Sequence, residues 1–187
     1  MGRIVKEKAF LLVIDIQEKF RKVIYNINEV IENTIKLLKL AEIFKMPVIV
    51  TEQYPEGLGK TLEEIVENLP KERVYYPIEK LTFSCMKDEK FTDITTQLRK
   101  NGYNIAIICG IEAHICVYQT VIDMKNFGFE IHLASDATGS RREENHKLIL
   151  ANLMSNGIDV KPTETIIFDI LNKAKTEEFK MMLPYLK

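Results

Sequence analysis

Six apolar residues in unbroken succession, Ala9 to Ile14 in "AFLLVIDIQ", constrain the fold of this chain more than any other feature. A strand with one wet face alternates apolar and polar residues. A run that is apolar at both parities needs cover on both faces, the environment of a strand inside a parallel sheet. Parallel strands need helical crossovers, and the sequence supplies them. Val30, Thr34, Leu37, Leu38, Ala41 and Phe44 recur at helical spacing. "MPVIVTEQ" reads as a second strand, "RVYYP" as a third with Pro77 near its exit, and "NIAIICG" as a fourth. "FEIHLASDA" and "IDV" read as a fifth and a short sixth. Asp88 predicts the cap of a helix whose inner face is Phe91, Ile94 and Leu98, closed by Asn101-Gly102. Cys116 to Phe127 predicts the helix after the fourth strand. Thr61 with Glu64, and Ser140 with Glu143, have the spacing of capping boxes; the second opens a helix through about Leu153. A helix near Glu164 to Leu171 and a C-terminal helical tail follow. The expected architecture is α/β: three layers, α/β/α, around a six-stranded, mostly parallel, doubly wound sheet, in a single domain over residues 1–187.

Composition removes several classes of function. With 46% hydrophobic and 28% charged residues, the chain is expected to fold rather than remain disordered. A formal net charge of −1 supplies no basic stripe for nucleic acid and no polybasic patch for a membrane surface. No apolar run approaches the ~20 residues that span a bilayer, and "MGRIVKEKAF" has neither a secretory nor a myristoylation pattern. Three cysteines without paired spacing argue against a disulfide framework, so the expected compartment is the cytoplasm.

Ligands of open α/β sheets bind beyond the carboxyl ends of the strands, so reactive side chains at strand exits are the ones to weigh. Asp15 ends the first strand, Lys80 follows the third in "PIEKLTFSC", and Cys116 follows the fourth in "GIEAHICV". Each alone has an ordinary structural reading: a turn cap, a solvated lysine, a buried thiol. Together they supply an acid/base, a cation and a nucleophile. A helix N-terminus and a nearby ammonium would lower the Cys116 thiol from its usual value near 8.5. The turn ahead of it would aim free backbone N–H groups at a developing oxyanion. Cys109 reads as core and Cys85 as packing or pocket wall.

On these residues the chain resembles the isochorismatase-like cysteine hydrolase superfamily, which includes nicotinamidases and N-carbamoylsarcosine amidohydrolases. The resemblance runs from about Phe10 to Leu171 and rests on "LLVIDIQ", "PIEKLTFSC", "GIEAHICV" and "SDATGSR", in the family's order. "TEQYPEGLG" with "GIEAHICV" looks like the subgroup of isochorismatase domain-containing proteins whose substrates are largely unassigned. The resemblance implies Asp15 as general acid/base, Lys80 as its charge partner and Cys116 as nucleophile. It also implies a non-proline cis peptide at Ile111–Glu112, which turns the amides of Glu112 and Cys116 toward the oxyanion. The Glu112 side chain is then incidental.

Nicotinamidases of this family hold a metal through histidines after the second strand. Here that segment is "TEQYPEGLG", and His114, His132 and His146 lie elsewhere with no ligand spacing. The expectation is therefore no metal, no cofactor, and hydrolysis of a C–N bond in a small amide or ureido compound through a Cys116 thioester. Gln17, Phe20, Tyr54 and Phe83 are candidates to line the substrate pocket. Homo-oligomerisation is expected by resemblance and from the apolar tail "FKMMLPYL"; packing of that tail on its own domain is the alternative. Competing readings are a non-catalytic interaction module with an idle triad, a redox-sensing thiol, and, less favoured, a nicotinamidase-like amidase.

Overall fold

The apolar runs become strands in a computed structural model that describes residues 2–186. They are β1 (Ala9–Ile14), β2 (Val48–Gln53), β3 (Val74–Lys80), β4 (Ile105–Ile111), β5 (Glu130–Gly139) and β6 (Asp159–Lys161). All pair in parallel, in the order β3-β2-β1-β4-β5-β6. The helices are α1 (Ile27–Phe44), α2 (Pro55–Leu58), α3 (Glu63–Val66), α4 (Glu89–Lys100), α5 (Tyr118–Phe127), α6 (Glu143–Ser155), α7 (Thr163–Leu171) and α8 (Glu177–Met182).

Successive residues of the central strands serve opposite cores. Leu11, Val13, Val48, Val50, Ile107 and Cys109 pack with Val30, Leu37 and Leu38 of α1 and with Ile166 and Ile170 of α7. Phe10, Leu12, Ile14, Ile49, Ala106 and Ile108 pack with Phe91 and Leu98 of α4 and with Val121 and Met124 of α5. The sheet is thus the middle of three layers, as the unbroken apolar runs require.

The chain leaves β1 toward β2 on one side and returns to β4 on the other, so the carboxyl ends of β1 and β4 bound the topological switch point. Gly110 sets how closely those ends meet. It pairs with Ile14, its φ is +129°, and a Cβ there would stand 2.1 Å from the Ile14 carbonyl oxygen. Only glycine fits.

Four expectations need correction. Pro77 does not end the third strand: β3 continues to Lys80, with a cis Tyr76–Pro77 peptide. β3 is an edge strand, where a residue lacking an N–H is tolerated. Neither capping box forms. Thr61 gives its N–H and its hydroxyl to the buried Glu52 carboxylate, each at 2.7 Å, while Glu64 pairs with Arg21. Ser140 instead meets His114 Nδ1 at 2.9 Å, and α6 starts without a side-chain cap. The C-terminal tail is divided: Met182 is fully buried in the α1–α7 core, with Phe179 and Leu186 packed against it, while Met181, Leu183 and Tyr185 stay exposed. The Asp88 cap does form, accepting from the Phe91 N–H at 3.0 Å.

Candidate active site

Three strand exits on one side of the sheet carry the reactive groups. Asp15 is the residue after β1, held at φ 53° with its N–H donated to the Thr51 carbonyl at 3.2 Å. Lys80 is the last residue of β3 rather than part of the loop beyond it. Their side chains are 0% (Lys80) and 1% (Asp15) exposed, and Lys80 Nζ donates to Asp15 Oδ2 at 2.7 Å. The ammonium also donates to Gln53 Oε1 at 2.8 Å and to the Thr82 and Phe83 carbonyls at 3.3 and 3.4 Å. The other Asp15 oxygen accepts from the Thr51 hydroxyl at 2.7 Å. A buried ion pair persists only when its remaining donors and acceptors are satisfied, and here both partners have additional ligands.

Cys116 lies in a π-helical turn, Ala113–Val117, between β4 and α5, so it is not the first residue of an α-helix. Such turns are frequent at functional sites. The amides of Ile115 and Val117 on either side of it both go to the Glu112 carbonyl, at 3.0 and 3.2 Å. The Ile111–Glu112 peptide is cis. Cys116 is 6% exposed, and its thiol faces the Asp15 carboxylate. Burial pushes this thiol well above the ordinary thiol value, the Asp15 charge pushes it further, and Lys80 opposes both. That corrects the expectation of a lowered thiol: the carboxylate is nearer in effect than the ammonium, and the resting sulfur carries its proton. Burial pulls the Lys80 ammonium down, the Asp15 carboxyl group that accepts from it at 2.7 Å pulls it up, and the net direction is up. The Lys80 side chain is thereby held as the ammonium and the Cys116 side chain as the thiol. A carboxylate facing a neutral thiol can take its proton as the sulfur attacks.

The Isochorismatase domain family model matches residues 9–165, most of the chain and all of this constellation. The chain belongs to the isochorismatase family. Isochorismatase domain-containing protein 2 of Danio rerio is 34% identical over 182 residues, covering 96% of this chain and 87% of that protein. A secreted isochorismatase effector of Phytophthora sojae is 32% identical over 187 residues, covering 100% of this chain and 88% of that protein. The solved structure of the MAR1 ribonuclease of Caenorhabditis elegans superposes with a TM-score of 0.90 at 30% identity, over 99% of this chain and 92% of that one. Family membership gives the chain a hydrolase-type fold.

Within this isochorismatase domain, the pocket candidates separate. Gln17 is buried and its amide is spent on backbone: Nε2 donates to the Gln53 and Gly59 carbonyls at 3.0 and 2.6 Å, and Oε1 accepts from the Gln53 N–H at 2.8 Å. It braces the β2 exit instead of presenting a free amide to a ligand. Phe20 packs against the α1-side core. Tyr54 and Phe83 are exposed near the β2 and β3 exits, and Tyr54 borders an open hollow of about 520 Å³ shared with Pro55, Glu79, Leu81 and Thr82. The Tyr54 ring packs over Gly57, 2.1 Å from where a Cβ would be, so a side chain at residue 57 would displace the ring.

The Glu112 side chain is not incidental. It is buried, accepts from the Arg141 backbone N–H at 2.9 Å, and meets Arg141 Nε at 3.0 and 3.1 Å. Thr51 and Gln53, unselected by the sequence reading, are direct ligands of the ion pair; their signal was the polar "TEQ" that closes an otherwise apolar strand. Each histidine has structural partners. His146 meets the Tyr25 hydroxyl at 2.7 Å and Thr138 Oγ1 at 3.0 Å, and His132 lies among Glu130, Asp159 and Lys161. Among the described residues no group of three or more His, Cys, Asp or Glu is arranged to hold a metal. No described helix is long and apolar enough to cross a membrane.

Proposed function

We propose that this chain is a metal-independent cysteine hydrolase that cleaves a C–N bond of a small amide or ureido substrate. The observation that carries the reading is the sealed Lys80–Asp15 pair, 2.7 Å long, with the neutral Cys116 thiol against its carboxylate. Attack of Cys116 Sγ on the substrate carbonyl transfers the thiol proton to Asp15. The tetrahedral oxyanion sits on the Glu112 and Cys116 amides. Collapse breaks the C–N bond, and Asp15 returns its proton to the leaving nitrogen. Water then attacks the thioester, giving one proton to Asp15 and leaving its hydroxyl on the acyl group. Asp15 passes that proton to the departing sulfur, which restores the thiol. Lys80, donating to Asp15 Oδ2 at 2.7 Å, orients that carboxyl group in both half-reactions.

Homo-oligomerisation belongs to the proposal, because Leu81 and Phe83 expose apolar surface directly beside Lys80 and a second copy would cover it. Light scattering at micromolar concentration should give a mass above 21.7 kDa. The name of the nematode neighbour raises RNA as a competing substrate. A panel of small amides and ureido acids, assayed beside an RNA substrate with wild type and Cys116→Ala, tests the reading. Turnover of a C–N substrate that vanishes in the variant supports it. RNA cleavage without amide turnover contradicts it.

A further inference from the structure

Glu112 supplies one of the two amides on which the proposed oxyanion sits, and its own side chain is tied to a different strand. The carboxylate, 5% exposed, accepts from the Arg141 backbone N–H at 2.9 Å and meets Arg141 Nε at 3.0 and 3.1 Å. That anchor belongs to the sheet. Ile111 is in register with Gly139 at the last rung between β4 and β5, and Ser140 and Arg141 continue directly from it. His114 fastens the same turn a second time: its Nδ1 lies 2.9 Å from the Ser140 hydroxyl and 4.0 Å from Glu112 Oε2. Two side chains of the nucleophile turn therefore grip consecutive residues beyond β5. The Glu112 carbonyl takes the Ile115 and Val117 amides at 3.0 and 3.2 Å and passes over the Cys116 amide between them.

Enclosing a carboxylate is costly unless its oxygens are satisfied. A carboxylate in the residue whose amide receives the oxyanion also opposes the charge that the amide is there to stabilise. An apolar side chain would fill the position without either cost, so packing alone does not call for Glu112.

We propose that Glu112 is a positioning residue: its carboxylate, anchored on Arg141, fixes the direction of its own backbone N–H and with it the oxyanion hole. The role rests on Cys116 as the nucleophile and concerns how the turn around it is held. An oxyanion donor works only at about 2.7–3.1 Å from the oxyanion, and a misplacement of about 1 Å can cost ~10²-fold in rate.

Two uncharged reagents separate this role from general loosening of the turn. p-Nitrophenyl acetate acetylates a thiol through a tetrahedral oxyanion: Sγ bonds to the acetyl carbon, the thiol proton goes to Asp15, and the ester C–O bond breaks to release p-nitrophenolate. Iodoacetamide alkylates the same thiol by direct displacement of iodide and forms no oxyanion. Acetylation is read as the p-nitrophenolate release that wild type shows and Cys116→Ala lacks. Alkylation of Cys116 is read by peptide mass spectrometry. The ratio of the two rates within one variant cancels changes in access to the thiol. Glu112→Ala should lower the acetylation-to-alkylation ratio by roughly 10- to 100-fold. Glu112→Gln keeps an oxygen for the Arg141 N–H and should lower it by roughly fivefold, as trading a charge-assisted contact for a neutral one implies. Arg141→Gln should lower it in the wild-type background and change nothing further in Glu112→Ala. A ratio within about twofold of wild type in both Glu112 variants, or in Glu112→Gln where the alanine variant does not fold, overturns the positioning role and leaves the nucleophile standing. An Arg141→Gln effect of the same size with and without Glu112 overturns it too. Wild-type Cys116 that is alkylated yet releases no p-nitrophenolate overturns the hydrolase reading itself.

Discussion

Two charge networks are buried in this sheet, and they differ in what they surround. At the exits of β1, β2 and β3, Asp15 and Lys80 are sealed from water, ligated by Thr51 and Gln53, and faced by a thiol. At the β5–β6 edge, His132 lies between Glu130 and Asp159, and Lys161 bridges Asp159 at 2.9 Å and Asp169 at 3.7 Å. Arg3 closes that second chain on Asp169 at 2.7 Å with its side chain 65% exposed. Both networks pair opposite charges and both perturb titrations. The second is built in mid-strand, where His132 is in register with Asp159, and it contains none of the three cysteines. Burial and pairing therefore do not mark a site. What distinguishes the first network is a thiol set against the pair at the switch point of the sheet, and the proposed function rests on that difference.

Removing one partner from each network should break the comparison most visibly. Lys80→Ala leaves the Asp15 carboxylate buried without its cation and should cost about 3–5 kcal/mol of stability. Arg3→Ala removes a largely solvated partner and should cost under ~1 kcal/mol. Urea unfolding measures both; equal losses would mean that the site pair is as hydrated as the edge pair.

Asp15→Asn sharpens the contrast by separating chemistry from folding. The amide oxygen can still accept from Thr51, but its NH2 then faces the Lys80 ammonium and it cannot take the thiol proton, so turnover is compared per folded molecule. Turnover should fall ~10²–10⁴-fold while the protein remains folded. Turnover within threefold of wild type would remove Asp15 from the proton path.

The smallest effect is a pH dependence of the histidines. Burial lowers the pKa of His146, and burial followed by the Lys161 charge lowers that of His132. The unfolded chain, with histidines near 6.5, then binds more protons than the folded one as pH falls below that value. Stability contributed by the neutral rings is present at pH 7 and is lost on acidification toward pH 5. Replacing His146 by Gln should flatten the urea midpoint over that interval; an unchanged slope would mean that His146 titrates alike in both states.

Much of the fold was legible because β1 and β4 are apolar at both parities and can sit only between two helical layers. That placement also brings Asp15, Lys80 and Cys116 to the same side of the sheet. What was not legible depends on partners distant in sequence. The capping spacings at Thr61 and Ser140 are genuine, but Glu52 and His114 claim those hydroxyls from other elements. Pro77 punctuates the sequence as an exit, yet an edge position absorbs it within β3. Gln17, a pocket candidate, clamps the Gln53 backbone with its amide, a contact fixed by a strand 36 residues away. The thiol was misjudged through local reasoning from a helix N-terminus. In the folded chain, burial and the Asp15 charge outweigh that local field; Cys109, with no carboxylate beside it, is raised by burial to about 12.

The central claim is that Cys116 becomes covalently acylated and the other two thiols do not. Intact-protein and peptide mass spectrometry after rapid acid quench, with a substrate found in the amide panel, tests it most directly. The account predicts one acyl group per chain, mapped to Cys116, formed within a turnover and absent in Cys116→Ala. Hydrolysis at the wild-type rate by Cys116→Ala, or an acyl group mapped to Cys85, would contradict it.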